Sequence, residues 1–324
     1  MLCTLILSSL ATAGPASDLE LANSWGVLTI GADLVQNLGN RGSGVKIGII
    51  DSGIDYTHPE LSATYAGGWD FVNNDNDPFD DYGHGTEVAG LIGAASNGVG
   101  MVGVAPEASL YAYKVFNSSG AGNYGNVIAA LDRAILDGMN VVNLSFGSTG
   151  DPGQDLLDAC DRAASAGVVV VASAGNYGGA GTADTVVFPG RYPSVIAVGA
   201  TTMADEHPSF SSIGPTLDLV APGVDLYTTT PLGGYTTVSG TSFSAPYVTG
   251  AAALLIHDGF SDIEERLIST ALDLGPVGFD TLYGYGRLDV HPMAVPAPSA
   301  IALALLGSSL ARSFVRRQKR SVVS

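Results

Sequence analysis

The chain has 324 residues with 31 acidic and 13 basic side chains, which gives a formal net charge of −18. Hydrophobic residues at 46% and charged residues at 14% exclude a disordered or coiled-coil chain, and the length allows one large domain or two ordinary ones. The strong acidity argues against a nucleic acid as a partner, because the phosphate backbone would be repelled.

The N-terminal end has the pattern of a secretory signal peptide. A short apolar run at residues 2–10 is followed by the small-x-small sequence ATA at residues 11–13. The basic segment that usually precedes the apolar run is missing, and an N-terminal arm is the alternative interpretation. We predict export, with residues 1–13 as the signal peptide. Its removal takes away Cys3 and leaves Cys160 unpaired, as a buried small hydrophobic residue.

Five apolar runs rich in β-branched residues predict a parallel sheet. They occupy residues 45–50, 110–115, 141–144, 168–172 and 195–198. Such near-continuous runs are typical of strands that are covered on both faces. Between them, helical spacing is visible at Val127, Leu131 and Ile135, and again around Leu156 and Cys160. This alternation predicts an α/β fold, with a mostly parallel sheet and helices on both faces.

A single domain is predicted for residues 20–291. The sequence has no convincing linker before residue 292, and it has no zinc spacing, phosphate-binding loop or dinucleotide fingerprint. Five of the basic residues lie after residue 291, where there is no acidic residue. The chain up to residue 291 therefore has 8 basic and 31 acidic residues, a net charge of −23.

Residues 292–324 have the composition of a membrane-directed tail. The sequence VPAPS at residues 295–299 precedes an apolar stretch at residues 300–311, and a basic cluster follows. Twelve apolar residues are short for a membrane span, which needs about 20, and a buried C-terminal helix is the alternative. The tail resembles the PEP-CTERM sorting signal of Gram-negative exported proteins, with Ala in place of Glu. The resemblance implies membrane contact through the tail only, then cleavage by sorting machinery and release to the cell surface or the medium.

Three short motifs carry side chains that can act together in catalysis. Asp51 ends a predicted strand, at the edge where α/β sheets place their ligands. His84 lies between two glycines before a predicted helix, and Ser242 precedes a helix that has Pro246 near its start. Taken singly, these residues are more often a cap, a loop residue and a helix N-cap. A nucleophilic serine needs a base, however, and that base needs a carboxylate to orient it.

In the order Asp, His, Ser, these motifs resemble the subtilases, the subtilisin-like serine peptidases, over about residues 24–290. Further segments are also similar to that family: VAP at 104–106, YPSVIAVGA at 192–200, FSSIG at 210–214 and APG at 221–223. The resemblance implies the three-layer architecture of subtilisin. It also implies a serine endopeptidase that hydrolyses peptide bonds through an acyl-enzyme.

The resemblance implies a catalytic role for each of four residues. Ser242 is expected as the nucleophile, and His84 as the general base and then the general acid. Asp51 is expected to hold the imidazole tautomer and to stabilise its cation. Asn176 matches the oxyanion stretch of the family, where its side chain and the main-chain N–H of Ser242 would donate to the tetrahedral intermediate. A turn residue is the alternative for Asn176.

The same resemblance implies a cleft for an extended polypeptide substrate. Two segments are expected to line the pocket for the residue before the scissile bond (P1): Ser145, Phe146 and Gly147, and Ser173, Ala174 and Gly175. Their glycines permit close backbone approach, so that the substrate can pair like an added strand. No acidic residue lies at these positions, and Val187 stands near the pocket base where better-known bacterial members have Gly. We therefore predict a shallow pocket for an apolar or aromatic residue.

Calcium is expected as a structural cofactor. Oxygen-bearing side chains alternate within residues 68–79, a segment that resembles a calcium loop of the family: Asp70, Asn73, Asp75 and Asp77. An acidic surface turn is the alternative. The resemblance implies a second site with Glu60 in the place of the usual Asp, together with Asn97 and the main-chain carbonyls of Ala95, Val99 and Met101.

Two other functions compete with proteolysis. A binding module with this fold but no turnover would have a damaged set of reacting groups, whereas all four expected residues are present here. A lipase-like esterase is disfavoured because no Gly-x-Ser-x-Gly elbow surrounds Ser242. The sequence therefore predicts an exported, monomeric serine endopeptidase that acts on polypeptides.

Overall fold

Seven parallel strands form the central sheet. A computed structural model describes residues 14–180 and 183–294 of the chain. The strands are β1 (Lys46–Asp51), β2 (Tyr65–Asp70), β3 (Ser109–Lys114), β4 (Val141–Leu144), β5 (Val169–Ser173), β6 (Ile196–Thr201) and β7 (Leu219–Pro222). They lie side by side in the order β2-β3-β1-β4-β5-β6-β7, and every neighbouring pair is parallel. The predicted parallel sheet is confirmed, and β2 and β7 are added to it.

In the described part of the chain, eight α-helices surround the sheet. They are α1 (Asp18–Asn23), α2 (Trp25–Thr29), α3 (Ala32–Asn37), α4 (His84–Gly93), α5 (Tyr124–Leu136), α6 (Gln154–Ser165), α7 (Ala245–His257) and α8 (Ile263–Thr270). One core cluster packs α4 and α7 against one face of the sheet, and a second packs α5 and α6 against the other. The three-layer α/β prediction is therefore confirmed. Cys160 is fully buried in the second cluster, as predicted.

The helix α7 lies at the centre of the first cluster. Its first eleven residues are all buried, which is typical of a helix that has no solvent-facing side. Small side chains permit this close packing: at Gly250, a Cβ would press against Val104. Pro246 lies in the first turn of the helix, where a missing N–H group costs nothing.

A two-stranded hairpin lies outside the main sheet. Its antiparallel strands, β8 (Leu226–Thr230) and β9 (Gly234–Val238), pack against α4. Thr228 Oγ1 donates a hydrogen bond to Glu87 O at 2.6 Å, and Thr229 Oγ1 donates to Thr86 O at 2.7 Å. The hairpin is thus fixed to the helix that begins with His84.

The two predicted terminal segments, the signal peptide and the tail, fall mainly outside the described residues. The signal peptide at residues 1–13 lies there, and so does the tail from residue 295 onward. The last described segment is a 3₁₀ helix, His291–Ala294. The predicted division at residue 292 stays a prediction. Within residues 14–180 and 183–294, no helix has both the length and the apolar character that a membrane crossing requires.

Candidate active site

Asp51 and His84 are joined at the carboxyl edge of the sheet. Asp51 ends β1 and is fully buried, and His84 is the first residue of α4. His84 Nδ1 lies 2.8 Å from Asp51 Oδ1 and 3.0 Å from Oδ2. Burial lowers the pKa of His84, but the charge and hydrogen bond of Asp51, together with the charges of Glu87 and Asp80, raise it above its ordinary value. Asp51 therefore fixes the orientation of the imidazole, and the raised pKa makes the imidazole a stronger base.

A buried carboxylate organises the turn that precedes His84. Asp80 is 1% exposed, and its Oδ1 accepts hydrogen bonds from Ser52 Oγ at 2.9 Å and from Gly83 N at 2.8 Å. Its Oδ2 accepts from Thr86 N at 2.8 Å and from Thr86 Oγ1 at 2.6 Å. Asp80 thus links the residue after Asp51 to the residues on both sides of His84. The sequence analysis did not single it out, although an acidic residue just before a helix often serves in this way.

Ser242 lies in a 3₁₀ turn, Thr241–Phe243, directly before α7. Its side chain is partly exposed, and its main-chain carbonyl accepts a hydrogen bond from Ser145 Oγ at 2.6 Å. The ring of Phe243 packs on the imidazole of His84, with the ring centroids 5.4 Å apart. The structure therefore brings the segment of Ser242 to both His84 and the predicted substrate segment.

The side-chain amide of Asn176 is oriented by Thr241, the neighbour of Ser242. Asn176 Oδ1 accepts from Thr241 N at 3.0 Å and from Thr241 Oγ1 at 3.1 Å. With the oxygen fixed in this way, the Nδ2 group is the donor that the exposed Asn176 can offer to a ligand. Thr241 Oγ1 also accepts from Gly175 N at 3.0 Å, so one threonine ties the Asn176 segment to the Ser242 segment. Thr241 was not assigned a role from the sequence.

A cavity of about 370 Å³ opens beside the Asp51–His84 pair. The predicted segment Ser145, Phe146 and Gly147 lies in its wall. Aromatic side chains form much of the remaining lining, namely Tyr82, Phe116 and Tyr124. Phe116 and Phe146 pack edge to face, with centroids 5.0 Å apart. The cavity is thus a cleft with a partly aromatic lining, next to the candidate base.

Val187 lies between the two segments that were predicted to line the P1 pocket. It is 1% exposed, and its N–H donates to Ala174 O at 2.9 Å. A Cβ at Gly147 would collide with Val187 Cγ2, and a Cβ at Gly175 would lie 2.7 Å from Cγ1. The two methyl groups of Val187 therefore occupy the space between Gly147 and Gly175.

The first predicted calcium segment forms a loop whose carboxylates accept hydrogen bonds from the loop itself and from Tyr56. Asp70 Oδ1 accepts from Asn73 N, and Oδ2 accepts from Asn73 Nδ2, each at 2.9 Å. Asp75 Oδ1 accepts from Asp77 N at 2.9 Å, and Asp77 Oδ1 accepts from Tyr56 Oη at 2.6 Å. Among residues 14–180 and 183–294, no group of three or more His, Cys, Asp or Glu side chains is arranged to hold a metal ion. A calcium ion at this loop stays a prediction.

The second predicted calcium segment brings Glu60 and Asn97 together and adds a carboxylate that the sequence analysis missed. Asn97 Nδ2 donates to Glu60 Oε2 at 3.0 Å, and Asn97 N donates to Glu20 Oε1 at 2.8 Å. Both glutamates are fully buried, and in the described part of the chain neither pairs with a lysine or arginine. Burial raises the pKa of Glu60, although hydrogen bonds from Tyr235 Oη at 2.7 Å and Met101 N oppose this shift.

The remaining residues of this segment lie in the same loop. Their main-chain N–H groups donate as follows: Ala95 to Glu60 O, Val99 to Asn97 Oδ1 and Met101 to Glu60 Oε1. Two buried carboxylates without a cationic partner suit a hard cation with oxygen ligands. The donor chemistry of this loop therefore fits calcium.

Comparisons with known proteins agree with this geometry. The chain matches the subtilase family over residues 42–286. Subtilisin DY of Bacillus licheniformis is 43% identical over 275 residues, which cover 83% of this chain and 98% of the relative. Subtilisin E of Bacillus subtilis (strain 168) is 44% identical over 276 residues, covering 83% and 71%. Subtilisin Savinase of Lederbergia lenta is 42% identical over 271 residues, covering 82% and 97%. The resemblance drawn from the motifs is thereby confirmed: the chain belongs to the subtilase family and is a subtilisin-like serine endopeptidase.

Proposed function

We propose that Ser242, His84 and Asp51 form the reacting centre of this endopeptidase. The observation that carries the proposal is the contact of 2.8 Å between His84 Nδ1 and Asp51 Oδ1. Nδ1 keeps its proton and donates a hydrogen bond to the carboxylate. Nε2 is therefore unprotonated and can accept the proton of a serine hydroxyl. The negative charge of the buried Asp51 then stabilises the imidazolium that forms.

The reaction follows from these roles in two halves. Ser242 Oγ attacks the carbonyl carbon of the scissile bond while its proton moves to His84 Nε2. The C–N bond breaks as His84 returns that proton to the leaving amine, and the acyl-enzyme remains. In the second half, His84 takes a proton from a water molecule that attacks the ester. Collapse of the second intermediate releases the new carboxyl end and restores the Ser242 hydroxyl.

We propose Asn176 Nδ2 and the main-chain N–H of Ser242 as the donors that stabilise the tetrahedral oxyanion. The support is the double hydrogen bond from Thr241 to Asn176 Oδ1, which fixes the amide before a substrate arrives. A donor that is already oriented needs no reorganisation when the charge develops, and this is the origin of its effect on the rate.

A fluorophosphonate probe together with casein hydrolysis tests the reacting centre. The wild-type enzyme is expected to label and to digest casein, and Ser242→Ala should lose both. Ser239→Ala is the matched control, because this exposed serine lies three residues earlier in the same segment. Labelling that persists in Ser242→Ala would contradict the assignment. A wild-type protein that neither labels nor digests would favour a binding module without turnover.

We propose that the P1 pocket accepts apolar side chains of limited size. Its support is the position of Val187, whose methyl groups lie between Gly147 and Gly175. The residues predicted to line the pocket include no acidic side chain that would bind a basic P1 residue. Values of kcat/KM for peptides with Phe, Leu, Ala or Arg at P1 test this proposal, and a preference for Arg would contradict it.

We propose that a structural Ca²⁺ is held by Glu20, Glu60 and Asn97, with carbonyls of the loop 95–101 completing its shell. A bound cation would neutralise the two buried carboxylates and tie the N-terminal helix to this loop. The support is the chemistry of the donor set: two fully buried glutamates that both contact Asn97.

We propose that the protein is exported, and that residues 292–324 anchor it transiently before cleavage by sorting machinery. The support lies in the sequence alone: the apolar run at residues 2–10 and the VPAPS, apolar and basic segments of the tail. Mass spectrometry of both ends of the mature protein tests the proposal. Intact ends would contradict both processing steps.

A further inference from the structure

The tip of the hairpin β8–β9 presents an exposed leucine in an unfavourable backbone conformation. Leu232 is 89% exposed, and its φ of 68° lies in the left-handed region. Side chains with a Cβ rarely adopt this region, and glycine would adopt it without strain. Since burial does not stabilise Leu232 and its backbone is strained, folding alone does not explain a leucine here. Residues held in sparsely populated φ regions cluster at active sites and ligand clamps.

Three buried polar side chains hold the tip in this conformation. Asp55, His58 and Glu60 are all fully buried. His58 Nδ1 accepts from Glu60 N at 3.1 Å, so the other ring nitrogen carries the proton. The bonds to the hairpin are Leu232 N to Asp55 Oδ2 at 2.8 Å, His58 Nε2 to Gly234 O at 2.9 Å and Tyr235 Oη to Glu60 Oε1 at 2.7 Å. The exposed leucine is therefore presented by a rigid support.

The tip borders the turn that carries His84. A Cβ at Gly83, the residue before His84, would lie 3.6 Å from Cδ of Pro231 in the tip. On the other side of this turn, Tyr82 and His84 line the aromatic cavity, and residues 231–233 are not part of its lining. The turn therefore separates the cavity from the hairpin tip. With the acyl side of the substrate in the cavity, beside the predicted P1 segment, the tip borders the other side of the turn that carries His84.

We propose that Leu232 contacts the substrate on the leaving-group side of the scissile bond and selects an apolar residue there. An extended chain advances by roughly 3.3 Å per residue, so the test places an apolar residue at each of the second to fourth positions after the bond. Contact with such a residue would bury the exposed leucine and add binding energy that a substrate without this residue lacks. The inference rests on the proposed placement of His84 and Ser242 at the reacting centre.

The test compares two kinds of substrate in a set of variants. One kind is a peptide series with a single Leu at the second, third or fourth residue after the cleaved bond, among serines. The other is a peptide anilide with the same acyl side, which has no residue on the leaving side. The quantity measured is the ratio of kcat/KM for the peptide to kcat/KM for the anilide. Leu232→Gly should lower this ratio about fivefold for at least one Leu position.

Stability measurements separate this result from misfolding. Glycine relieves the positive φ at residue 232, so the Tm of Leu232→Gly should equal or exceed that of the wild type. Val277→Gly is the matched control, because it removes another exposed apolar side chain (98% exposed) from a different loop, and its ratio should match the wild type. An unchanged ratio in Leu232→Gly, or an equal fall in Val277→Gly, would overturn the inference. Failure of the reacting-centre assignment looks different, since Ser242→Ala would then keep its activity on both substrates.

Discussion

Asn176 Oδ1 accepts hydrogen bonds from the main-chain N–H and the hydroxyl of Thr241, at 3.0 and 3.1 Å. The candidate oxyanion donor and the residue beside the candidate nucleophile are therefore parts of one hydrogen-bonded unit. Gly175 N also donates to Thr241 Oγ1, so the unit includes the last residue of the predicted substrate segment. Changes at Thr241 should consequently act on the rate of the chemical step.

Loss of the amide donor is expected to reduce turnover. Asn176→Ala should lower kcat about 10²–10³-fold with little change in KM, because an oxyanion donor acts mainly in the transition state. Thr241→Val leaves Asn176 in place but removes one of its two orienting bonds, so we expect a smaller loss, about tenfold. Thr241→Ser keeps the hydroxyl and serves as the matched control. Steady-state kinetics on a peptide anilide measure these effects, and a pure KM effect would count against the oxyanion role.

The charge of Glu87 is expected to set part of the pH profile. Catalysis needs a neutral His84, so kcat/KM should fall as the pH drops through the pKa of His84. Burial lowers this pKa, whereas Asp51, Glu87 and Asp80 raise it. Glu87→Gln removes one of the raising charges. The acidic limb of the kcat/KM profile should therefore move to lower pH.

A matched carboxylate controls for the general effect of removing a charge. Glu264 is exposed on α8, and it is not among the groups that shift the pKa of His84. Glu264→Gln should leave the acidic limb in place. A limb that moves to higher pH in Glu87→Gln, or an equal shift in both variants, would show that Glu87 does not act on the imidazole.

Removal of calcium is expected to lower Tm in a manner that depends on pH. Burial raises the pKa of Glu60, so the folded chain binds that proton more tightly than the unfolded chain does. Without a cation, the stability associated with this proton is lost as the pH rises through the raised pKa. Ca²⁺ stabilises the ionised carboxylate instead. EDTA should therefore lower Tm more at neutral pH than at acidic pH, as scanning calorimetry would record.

Variants of the two buried glutamates make this measurement specific. Glu20→Gln and Glu60→Gln should each reduce the effect of EDTA on Tm. Glu265→Gln changes an exposed glutamate on α8 and should retain the full effect. If EDTA leaves the Tm of the wild type unchanged at both pH values, the loop is held by its hydrogen bonds alone.

A deeper P1 pocket is expected when Val187 is reduced to glycine. Val187→Gly removes the methyl groups between Gly147 and Gly175, so kcat/KM for a P1 Phe peptide should rise roughly tenfold relative to a P1 Ala peptide. The loss of a buried valine should also cost about 1–3 kcal/mol of unfolding free energy. Val186→Ala is the matched control, since Val186 is equally buried and next in the chain. An equal change in selectivity in both variants would assign the effect to loss of stability.

The architecture could be predicted where the strands are buried on both faces. The β-branched runs at β1, β3, β4, β5 and β6 gave a clear signal, because a covered parallel strand has no polar face. The edge strand β2 gave no such signal. Its sequence YAGGWD has two adjacent glycines, and the strand is partly exposed. The hairpin strands β8 and β9 are rich in threonine and did not stand out as apolar runs.

The catalytic motifs could be recognised from the sequence, but their supporting contacts could not. Asp51, His84 and Ser242 lie in short patterns that resemble a known family. Glu20 lies 77 residues from Asn97, and no local sequence pattern predicts the contact between them. Asp80 and Thr241 act through hydrogen bonds between distant segments. Such pairings depend on the tertiary fold, which the spacing of residues along the chain does not encode.

The burial of α7 has a consequence for the lifetime of the enzyme in solution. An endopeptidase is surrounded by copies of itself, and each copy is a polypeptide that can be cut. Cleavage requires an extended segment that reaches another molecule's cleft, and the first eleven residues of α7 are all buried. Self-digestion should therefore begin at exposed loops, such as residues 275–279. The helix that follows the candidate nucleophile Ser242 would be among the last segments to be destroyed, so that nicked molecules should retain activity until the core itself opens.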